Sequence, residues 1–123
     1  MTRVCIALAA FAALAAATPA LADYPVGGSW TYENASEKGR AEKCGRRFMK
    51  FEGNLRYDTG SGAPEYKNMS ARVSGQNTWT VVDEFFTGMI RGRVTYALRT
   101  IDEDHIELHF EMGGRTQLLR RCG

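Results

Sequence analysis

His105, Glu107 and His109 occupy alternate positions of one short segment, and these residue types can bind a metal ion or transfer protons. Apolar and polar residues alternate around them, which is typical of a strand with one buried face. In a strand the two histidines stand roughly 13 Å apart, too far to share one ion, although either can pair with Glu107. We keep a metal-dependent enzyme around His105 and Glu107 as an alternative and favour a solvated outer face.

Other catalytic patterns are missing from the sequence. It contains no G-x-S-x-G motif, no phosphate-binding glycine loop followed by Lys-Ser/Thr, and no C-x-x-C pair. Nucleophilic, nucleotide-dependent and dithiol chemistry therefore have no candidate residues. We expect a protein that is not an enzyme and that needs neither a cofactor nor a metal.

Two cysteines, Cys44 and Cys122, lie far apart in the chain, and a third, Cys5, lies in a segment that we expect to be removed. In an oxidising compartment such a pair most often forms a structural disulfide. The predicted bridge would close most of the chain into one loop, a constraint of roughly 4 kcal/mol in the chain-entropy model.

The predicted disulfide would also gather basic side chains around itself. These five residues are Lys43, Arg46, Arg47, Arg120 and Arg121. Together they form a candidate patch for an anion or an acidic protein surface. We favour the alternative that they alternate around the strands and pair with neighbouring acids such as Glu42 and Glu52.

Residues 1–22 have the pattern of a secretory signal peptide. Arg3 supplies a positive start, residues 4–17 form an apolar run, and residues 20–22 give an A-x-A cleavage site after Pro19. We expect cleavage there and a periplasmic or secreted protein. The apolar run is short for a membrane span, and no later stretch reaches the about 20 apolar residues that a spanning helix needs.

Residues 23–123 remain as one small domain after this cleavage. The formal net charge of the whole chain is only +2, and the sequence has neither a basic tail nor an Arg-rich helix. We therefore expect no nucleic-acid partner and no membrane span. The remaining classes of partner are another exported protein and a small ligand.

Composition and turn residues predict about eight strands and no helix. The predicted strands are residues 29–33, 47–51, 54–57, 66–73, 78–86, 93–101, 105–112 and 115–122. The spacing is that of an antiparallel meander, with residues 87–92 as a flexible segment. A short chain with this many strands must hide its sheet edges, and this favours an all-β fold closed into a barrel.

Alternation along these strands predicts which side chains face the core. Met69, Ala71 and Val73 share one face of their strand, and Trp79, Val81 and Phe85 share one face of the next. In the strand 105–112 the core face is Ile106, Leu108, Phe110 and Met112. Gly113-Gly114 then predicts a hairpin turn.

Aromatic residues occur in nearly all the predicted strands. In a barrel of about eight strands the interior is either filled by side chains or admits one small ligand. Trp30, Trp79 and Tyr96 are the candidates for lining such a cavity. We favour a packed interior, because a chain this short has few residues to spare for an empty cavity.

Gly28-Ser29-Trp30 on the first strand, with Arg120 and Arg121 on the last, resembles the G-x-W and late-Arg signature of calycin barrels. That group includes lipocalins, avidins and small bacterial inhibitors of secreted metalloproteases. The resemblance implies that Trp30 closes one barrel end and that Arg120 or Arg121 packs across it. In the inhibitor branch an N-terminal arm blocks the protease, and residues 23–28 would be that arm.

These observations favour an exported, non-catalytic binding protein that recognises or inhibits another protein in the cell envelope. A carrier barrel for a small ligand is the alternative. The two differ in what they require of the interior, which is packed in the first case and hollow between Trp30, Trp79 and Tyr96 in the second.

Overall fold

The computed structural model describes residues 22–32 and 37–122. Cys5 and nearly all of the predicted signal peptide lie outside these residues. Eight strands make up most of the described chain. They are Gly28–Thr31 (β1), Phe48–Glu52 (β2), Leu55–Asp58 (β3), Glu65–Gly75 (β4), Thr78–Thr87 (β5), Ile90–Asp102 (β6), His105–Phe110 (β7) and Thr116–Arg121 (β8).

Each strand pairs antiparallel with the next, and β1 pairs with β8, so the sheet closes into a barrel with the strands in chain order. Closure runs through two residue pairs, Trp30 with Arg121 and Thr31 with Arg120. The prediction of an all-β meander closed into an eight-stranded barrel is confirmed. Within the described residues, no helix is long and apolar enough to cross a membrane.

Cys44 and Cys122 form the predicted disulfide, with an S–S distance of 2.02 Å and 5.1 Å between the Cα atoms. The segment 37–44, which we call the strap, runs beside the end of β8. Ala41 forms a parallel bridge with Cys122 and donates its N–H to the Arg121 carbonyl at 2.8 Å. The disulfide thus fixes the strap to the last strand.

The predicted flexible segment 87–92 is instead a tight hairpin. β5 runs to Thr87, β6 begins at Ile90, and these two residues pair. Gly88 has φ of 64°, a left-handed conformation that glycine adopts readily, so the chain reverses within two residues. Pairing of residues 90–92 with Thr87, Phe86 and Phe85 of β5 therefore replaces the expected flexible segment.

Two residues predicted for the core lie outside it. β7 ends at Phe110, and Met112 is 88% exposed in a short 3₁₀ turn, because Gly113 and Gly114 both take positive φ and turn the chain. Val73 is 76% exposed. It pairs with Trp79 and is the last residue of β4 before the second of two register irregularities, between Val73 and Gly75.

The first of these irregularities, between Asn68 and Ser70, also decides which residues of β4 face inward. Tyr66 and Asn68 are buried before it, and Ala71 packs against the core after it. Because a β-bulge inserts one extra residue, the alternation of faces shifts at this point. Asn68 therefore lies inside the barrel, where the regular alternation predicted Met69.

Candidate functional site

The two ends of the barrel are built differently. We call the end where β1 begins, together with the turns after β2, β4 and β6, the closed end. We call the opposite end the mouth; it carries the loop 59–64, the β5–β6 turn and the β7–β8 turn. An antiparallel meander places alternate connections at opposite ends, so this division follows from the strand order.

Aromatic side chains fill the closed end. Tyr24 is buried, its ring centroid lies 4.9 Å from that of Phe51, and its N–H donates to the Gly53 carbonyl at 3.0 Å. The indole of Trp30 is buried and donates to the Gly27 carbonyl at 3.1 Å. The arm 23–28 is thus bound to the barrel through Tyr24 and Gly27.

Arg121 packs across Trp30, with its guanidinium carbon 4.3 Å from the ring centroid. Its Nε donates to the Glu103 carbonyl at 3.0 Å, and its Nη1 donates to the Gly27 carbonyl at 3.4 Å. Of the two arginines that the calycin resemblance offers, the contact is made by Arg121. Arg120 lies on the other face and pairs with Glu37 of the strap at 2.7 Å.

Charged residues occupy the barrel interior on the mouth side. Arg56 is only 1% exposed, and its Nε donates to Asp83 Oδ2 at 2.9 Å while its Nη1 donates to Asp58 Oδ2 at 3.2 Å. Asp83 is 0% exposed and Asp58 is 6% exposed. One guanidinium therefore links two buried carboxylates. We call Arg56, Asp58 and Asp83 the ion cluster.

Aromatic side chains surround the ion cluster. The guanidinium carbon of Arg56 lies 3.9 Å from the Tyr66 ring centroid and 5.2 Å from that of Tyr96. The Tyr96 hydroxyl donates to Asp83 Oδ2 at 2.8 Å. Burial raises the pKa of Tyr96 far above its usual value, so this phenol remains a hydrogen-bond donor.

Asp58 is held at the mouth by three donors. Besides Arg56, the Tyr32 hydroxyl and the Gly60 N–H donate to its Oδ1, the latter at 2.9 Å. Residue 60 must be small, because a Cβ there would lie 2.7 Å from the Tyr32 ring. The Gly60 N–H thus holds the loop 59–64 against the Asp58 carboxylate. Both oxygens of that carboxylate accept hydrogen bonds from the chain.

Burial sets the protonation tendencies inside the cluster. Burial raises the pKa of Asp83, although Arg56 opposes the shift. For Arg56, burial favours the neutral form, but Tyr96, Asp83 and Tyr24 outweigh it and raise the pKa, so the guanidinium stays charged. The interior therefore contains one permanent cation.

Several buried polar atoms near the cluster have no hydrogen-bond partner among the described residues. They are both amide atoms of Asn68, Oδ1 of Asp83 and the hydroxyl of Tyr24. A buried polar group without a partner costs about 1–3 kcal/mol, so native proteins supply one from the chain, from water or from a ligand. Tyr24 nevertheless lies close enough to Asp83 and Arg56 to interact with both, so the side-chain amide of Asn68 is the group here whose partner the described residues do not supply.

A pocket of about 490 Å³ opens at the mouth above the ion cluster. Its lining residues come from β3, β4, β6 and the β7–β8 turn; they are Arg56, Asp58, Ser61, Tyr66, Val94, Phe110, Met112, Gly113 and Arg115. Arg115 is exposed at the rim, with its guanidinium carbon 5.8 Å from the Phe110 ring centroid. The pocket combines apolar walls with the paired cation Arg56 at its floor and the cation Arg115 at its edge.

The structure does not gather the predicted basic patch into one site. Arg47 lies over the Tyr32 ring at 5.0 Å, Arg120 pairs with Glu37, and Arg121 covers Trp30. Lys43 and Arg46 are exposed. Lys43 and Arg120 line one pocket beside the strap, whereas Arg47 and Arg121 cover different rings; the acid that Arg120 contacts is Glu37.

His105 and Glu107 lie apart from the pocket, and each has a different partner. Nδ1 of His105 lies 2.8 Å from Asp102 Oδ1, and Nε2 lies 2.6 Å from the Glu37 carbonyl. Glu107 pairs with Arg99 at 3.2 Å. His105 was expected on a solvated face, but the strap buries it. No group of three potential metal ligands is found among residues 22–32 and 37–122.

The three residues proposed to line a cavity have other positions. Trp30 closes the opposite end, Trp79 packs partly buried against the core, and Tyr96 is fully buried beside Asp83. The mouth pocket is lined by other residues of the described chain. A pocket is therefore present, but between a different set of side chains.

Sequence analysis did not identify the residues of the ion cluster or the buried, unpartnered side-chain amide of Asn68 as parts of a site. Alternation in β5 was a usable signal, because Asp83 shares a face with Val81 and Phe85. In β3 the pattern misleads, since the apolar residues Leu55 and Tyr57 are only half-buried while Arg56 and Asp58 are buried. Asn68 could not be found without knowing of the bulge.

Comparisons with known proteins found no match for the chain. No protein-family model matches it, and it has no significant match among curated proteins or solved structures. The function must therefore be argued from the geometry of the chain alone.

Proposed function

We propose that the protein binds a small amphipathic molecule, with an apolar body and an anionic group, in the mouth pocket. It acts by binding and not by catalysis, in the periplasm or outside the cell. The A-x-A leader pattern and the disulfide support that location, since disulfides persist in oxidising compartments.

The size and composition of the pocket support a small ligand. Ligand pockets typically have volumes of about 300–1,000 Å³, mostly apolar walls and a few polar groups that fix orientation. Here Val94, Phe110 and Met112 supply apolar surface, and the 490 Å³ volume lies within that range.

The charges of the pocket support an anionic group on the ligand. Both oxygens of Asp58 already accept hydrogen bonds from the chain, whereas Arg115 forms no ion pair with any described residue. An incoming carboxylate, sulfonate or phosphate would therefore meet available positive charge at Arg115, whereas the charge of Arg56 at the floor is already paired with Asp58 and Asp83.

The buried guanidinium of Arg56 at the pocket floor is the observation that carries this proposal. Burying ions costs several kcal/mol each, and replacing a buried ion pair by apolar residues is often neutral or stabilising. Stability alone therefore gives no reason for an arginine and two aspartates inside a small barrel. Recognition of a polar ligand group does.

Recognition of another exported protein, which the calycin resemblance implies, has less support. That mechanism uses the arm 23–28, and in this structure Tyr24 of the arm is buried against Phe51. An arm that completes the closed end is not available to enter another protein without uncovering the core.

Isothermal titration with decanoate, compared with decanol, tests the proposed function. We expect decanoate to bind and decanol to bind more weakly, because the two share an alkyl chain and only decanoate carries a charge. Arg115→Gln should weaken decanoate binding about fivefold, the contribution of one exposed ion pair. The matched control is Arg72→Gln, which removes an exposed arginine from β4 and should change nothing.

A pocket-filling variant, Val94→Trp, should abolish decanoate binding if the ligand occupies the mouth pocket. Its fold is checked by circular dichroism and thermal unfolding. Absence of decanoate binding by the wild type, or unchanged binding by folded Val94→Trp, would contradict the proposal. Equal affinity for decanoate and decanol would contradict the anionic part of it.

A further inference from the structure

The mouth is surrounded by exposed apolar side chains. Phe86, Met89 and Ile90 lie on the β5–β6 hairpin, and Met112 lies on the β7–β8 turn. Met89 is fully exposed, and Ile90 is 64% exposed. We call these four residues the mouth rim. Three of the four lie within five residues of one hairpin tip, and apolar side chains concentrated at one end of the molecule are candidates for contact with another surface.

The β5–β6 hairpin extends beyond the end of β7. β6 pairs with β7 only from Tyr96 onward, so residues 90–94 continue past the end of β7. At about 3.3 Å per residue this is an extension of roughly 16 Å. The extension carries Met89 and Ile90 away from the barrel wall at the mouth end.

Cations accompany the apolar tips. Arg91 lies over the Phe86 ring at 4.9 Å, Arg93 is exposed on the same hairpin, and Arg115 follows the β7–β8 turn. Residues 85–93 and 112–118 contain no acid. Glu84 and Glu111 flank these segments, and Glu84 lies 3.9 Å from Arg93. Exposed Glu65 begins β4 at the same end, and Arg46 and Arg47 lie beside the loop 59–64. The mouth end thus presents apolar tips with five arginines against three glutamates among the described residues, a local excess of positive charge.

We propose that the mouth rim docks the barrel on an anionic lipid surface. Apolar side chains at an interface enter the boundary between headgroups and acyl chains, and nearby arginines bind anionic headgroups. The rim residues stand on separate tips, which suits insertion into a fluid surface. A protein interface needs one contiguous, close-packed core instead.

The docked orientation turns the mouth pocket toward the lipid. An amphipathic ligand could then pass between the membrane and the pocket without crossing water; this consequence rests on the proposed function, whereas docking itself does not. The exposed apolar residues Val73 and Ile101 lie toward the closed end of β4 and β6 and serve as a control.

Co-sedimentation of the full chain with sucrose-loaded vesicles tests the docking. One vesicle type contains phosphatidylcholine and phosphatidylglycerol in equal parts, and the other contains phosphatidylcholine alone. We expect binding to the mixed vesicles and little binding to the neutral ones. Met89→Ser/Ile90→Ser should lower the partition coefficient at least about tenfold, and Arg91→Gln/Arg93→Gln should lower it about fivefold for each arginine.

Val73→Ser/Ile101→Ser is the matched control, because it removes exposed apolar side chains from the other end and should leave binding unchanged. Thermal unfolding verifies that all three variants are folded. The proposal is overturned if the wild type stays in the supernatant, in which case the rim would serve a protein partner. It is equally overturned if the Met89/Ile90 variant binds like the wild type.

The two proposals fail independently. Decanoate binding is measured without vesicles, and vesicle binding is measured without decanoate. Val94→Trp, which fills the pocket, should still bind mixed vesicles, whereas Met89→Ser/Ile90→Ser should still bind decanoate. Loss of both functions in either folded variant would contradict the assignment of two separate contacts.

Discussion

Arg56 and Arg121 make similar contacts at opposite ends of one barrel, yet their surroundings differ. Each guanidinium lies over an aromatic ring, at 3.9 Å from Tyr66 for Arg56 and at 4.3 Å from Trp30 for Arg121. Arg121 donates to backbone carbonyls and remains partly exposed, whereas Arg56 is buried between two carboxylates. The residue type is the same, but only one of the two is buried with fixed opposite charges.

The difference separates a structural end from a candidate binding end. At the closed end the arm, the strap and the disulfide converge on the β1–β8 closure, and Arg120 and His105 there pair with exposed acids of the strap and of β6. At the mouth, the buried charges of Arg56 and Asp58 lie beneath an open pocket. Natural sequences keep such locally unfavourable arrangements mainly where function requires them.

The strongest test of this contrast is Arg56→Met. It leaves Asp83 buried without its cation, and breaking a buried pair in this way costs about 3–5 kcal/mol of unfolding free energy. The double variant Arg56→Met/Asp83→Leu should recover part of the loss, because Asp83 no longer leaves an unpaired charge while the buried Asp58 carboxylate keeps only its hydrogen bonds from Tyr32 and Gly60. Urea denaturation at neutral pH measures both. A single-variant loss below about 1 kcal/mol would mean that the charges are not isolated from water.

Removal of the disulfide tests the closed end next. Cys44→Ser/Cys122→Ser should lower the unfolding free energy by about 3 kcal/mol, because the unfolded chain regains the freedom of a long loop. Decanoate affinity of the remaining folded protein should not change, since the disulfide is not part of the mouth pocket. The wild type under reducing conditions provides the control and should show the same loss.

Arg121→Met should lower the unfolding free energy by about 1 kcal/mol, much less than Arg56→Met. The variant loses a partly exposed cation–π contact and two bonds to carbonyls that water can replace, while its methylene groups still cover Trp30. Urea denaturation under the same conditions allows direct comparison. If Arg121→Met and Arg56→Met lower the unfolding free energy equally, the two ends of the barrel do not differ in how strongly they depend on their arginine.

The smallest expected effect is the pH dependence contributed by His105. Its hydrogen bond to Asp102 raises the pKa of His105, and both ring nitrogens face acceptors, so the imidazolium fits this position best. Its stabilising contribution is therefore fully present below the unfolded pKa of about 6.5 and is lost as pH rises through the higher folded pKa.

His105→Gln should accordingly reduce the fall in melting temperature between about pH 6 and about pH 9. His109→Gln is the matched control, because His109 is exposed and its Nδ1 faces the Thr116 hydroxyl, so no charge is required there. If the melting temperature of His105→Gln falls with pH as steeply as that of the wild type, the packing of the strap on His105 does not depend on the imidazolium charge.

Local sequence patterns were sufficient for the strand order but not for the candidate site. Turn residues such as Gly113-Gly114 lie where the chain reverses, and the core positions Ile106 and Leu108 follow the alternation. The site could not be predicted in the same way. Arg56 and Asp58 violate the rule that apolar residues face inward, because they pair with each other inside the barrel and Arg56 also pairs with Asp83 of β5.

The sequence by itself determined an all-β meander and the disulfide, because both depend on features carried by single segments: alternation, turn residues and two cysteines in the described chain. Only the tertiary structure decided what lies inside the barrel. The bulge in β4 turned Asn68 inward, pairing between distant strands made burial of Arg56 tolerable, and closure of β1 on β8 brought Arg121 over Trp30. These outcomes depend on register between strands, which no single segment specifies.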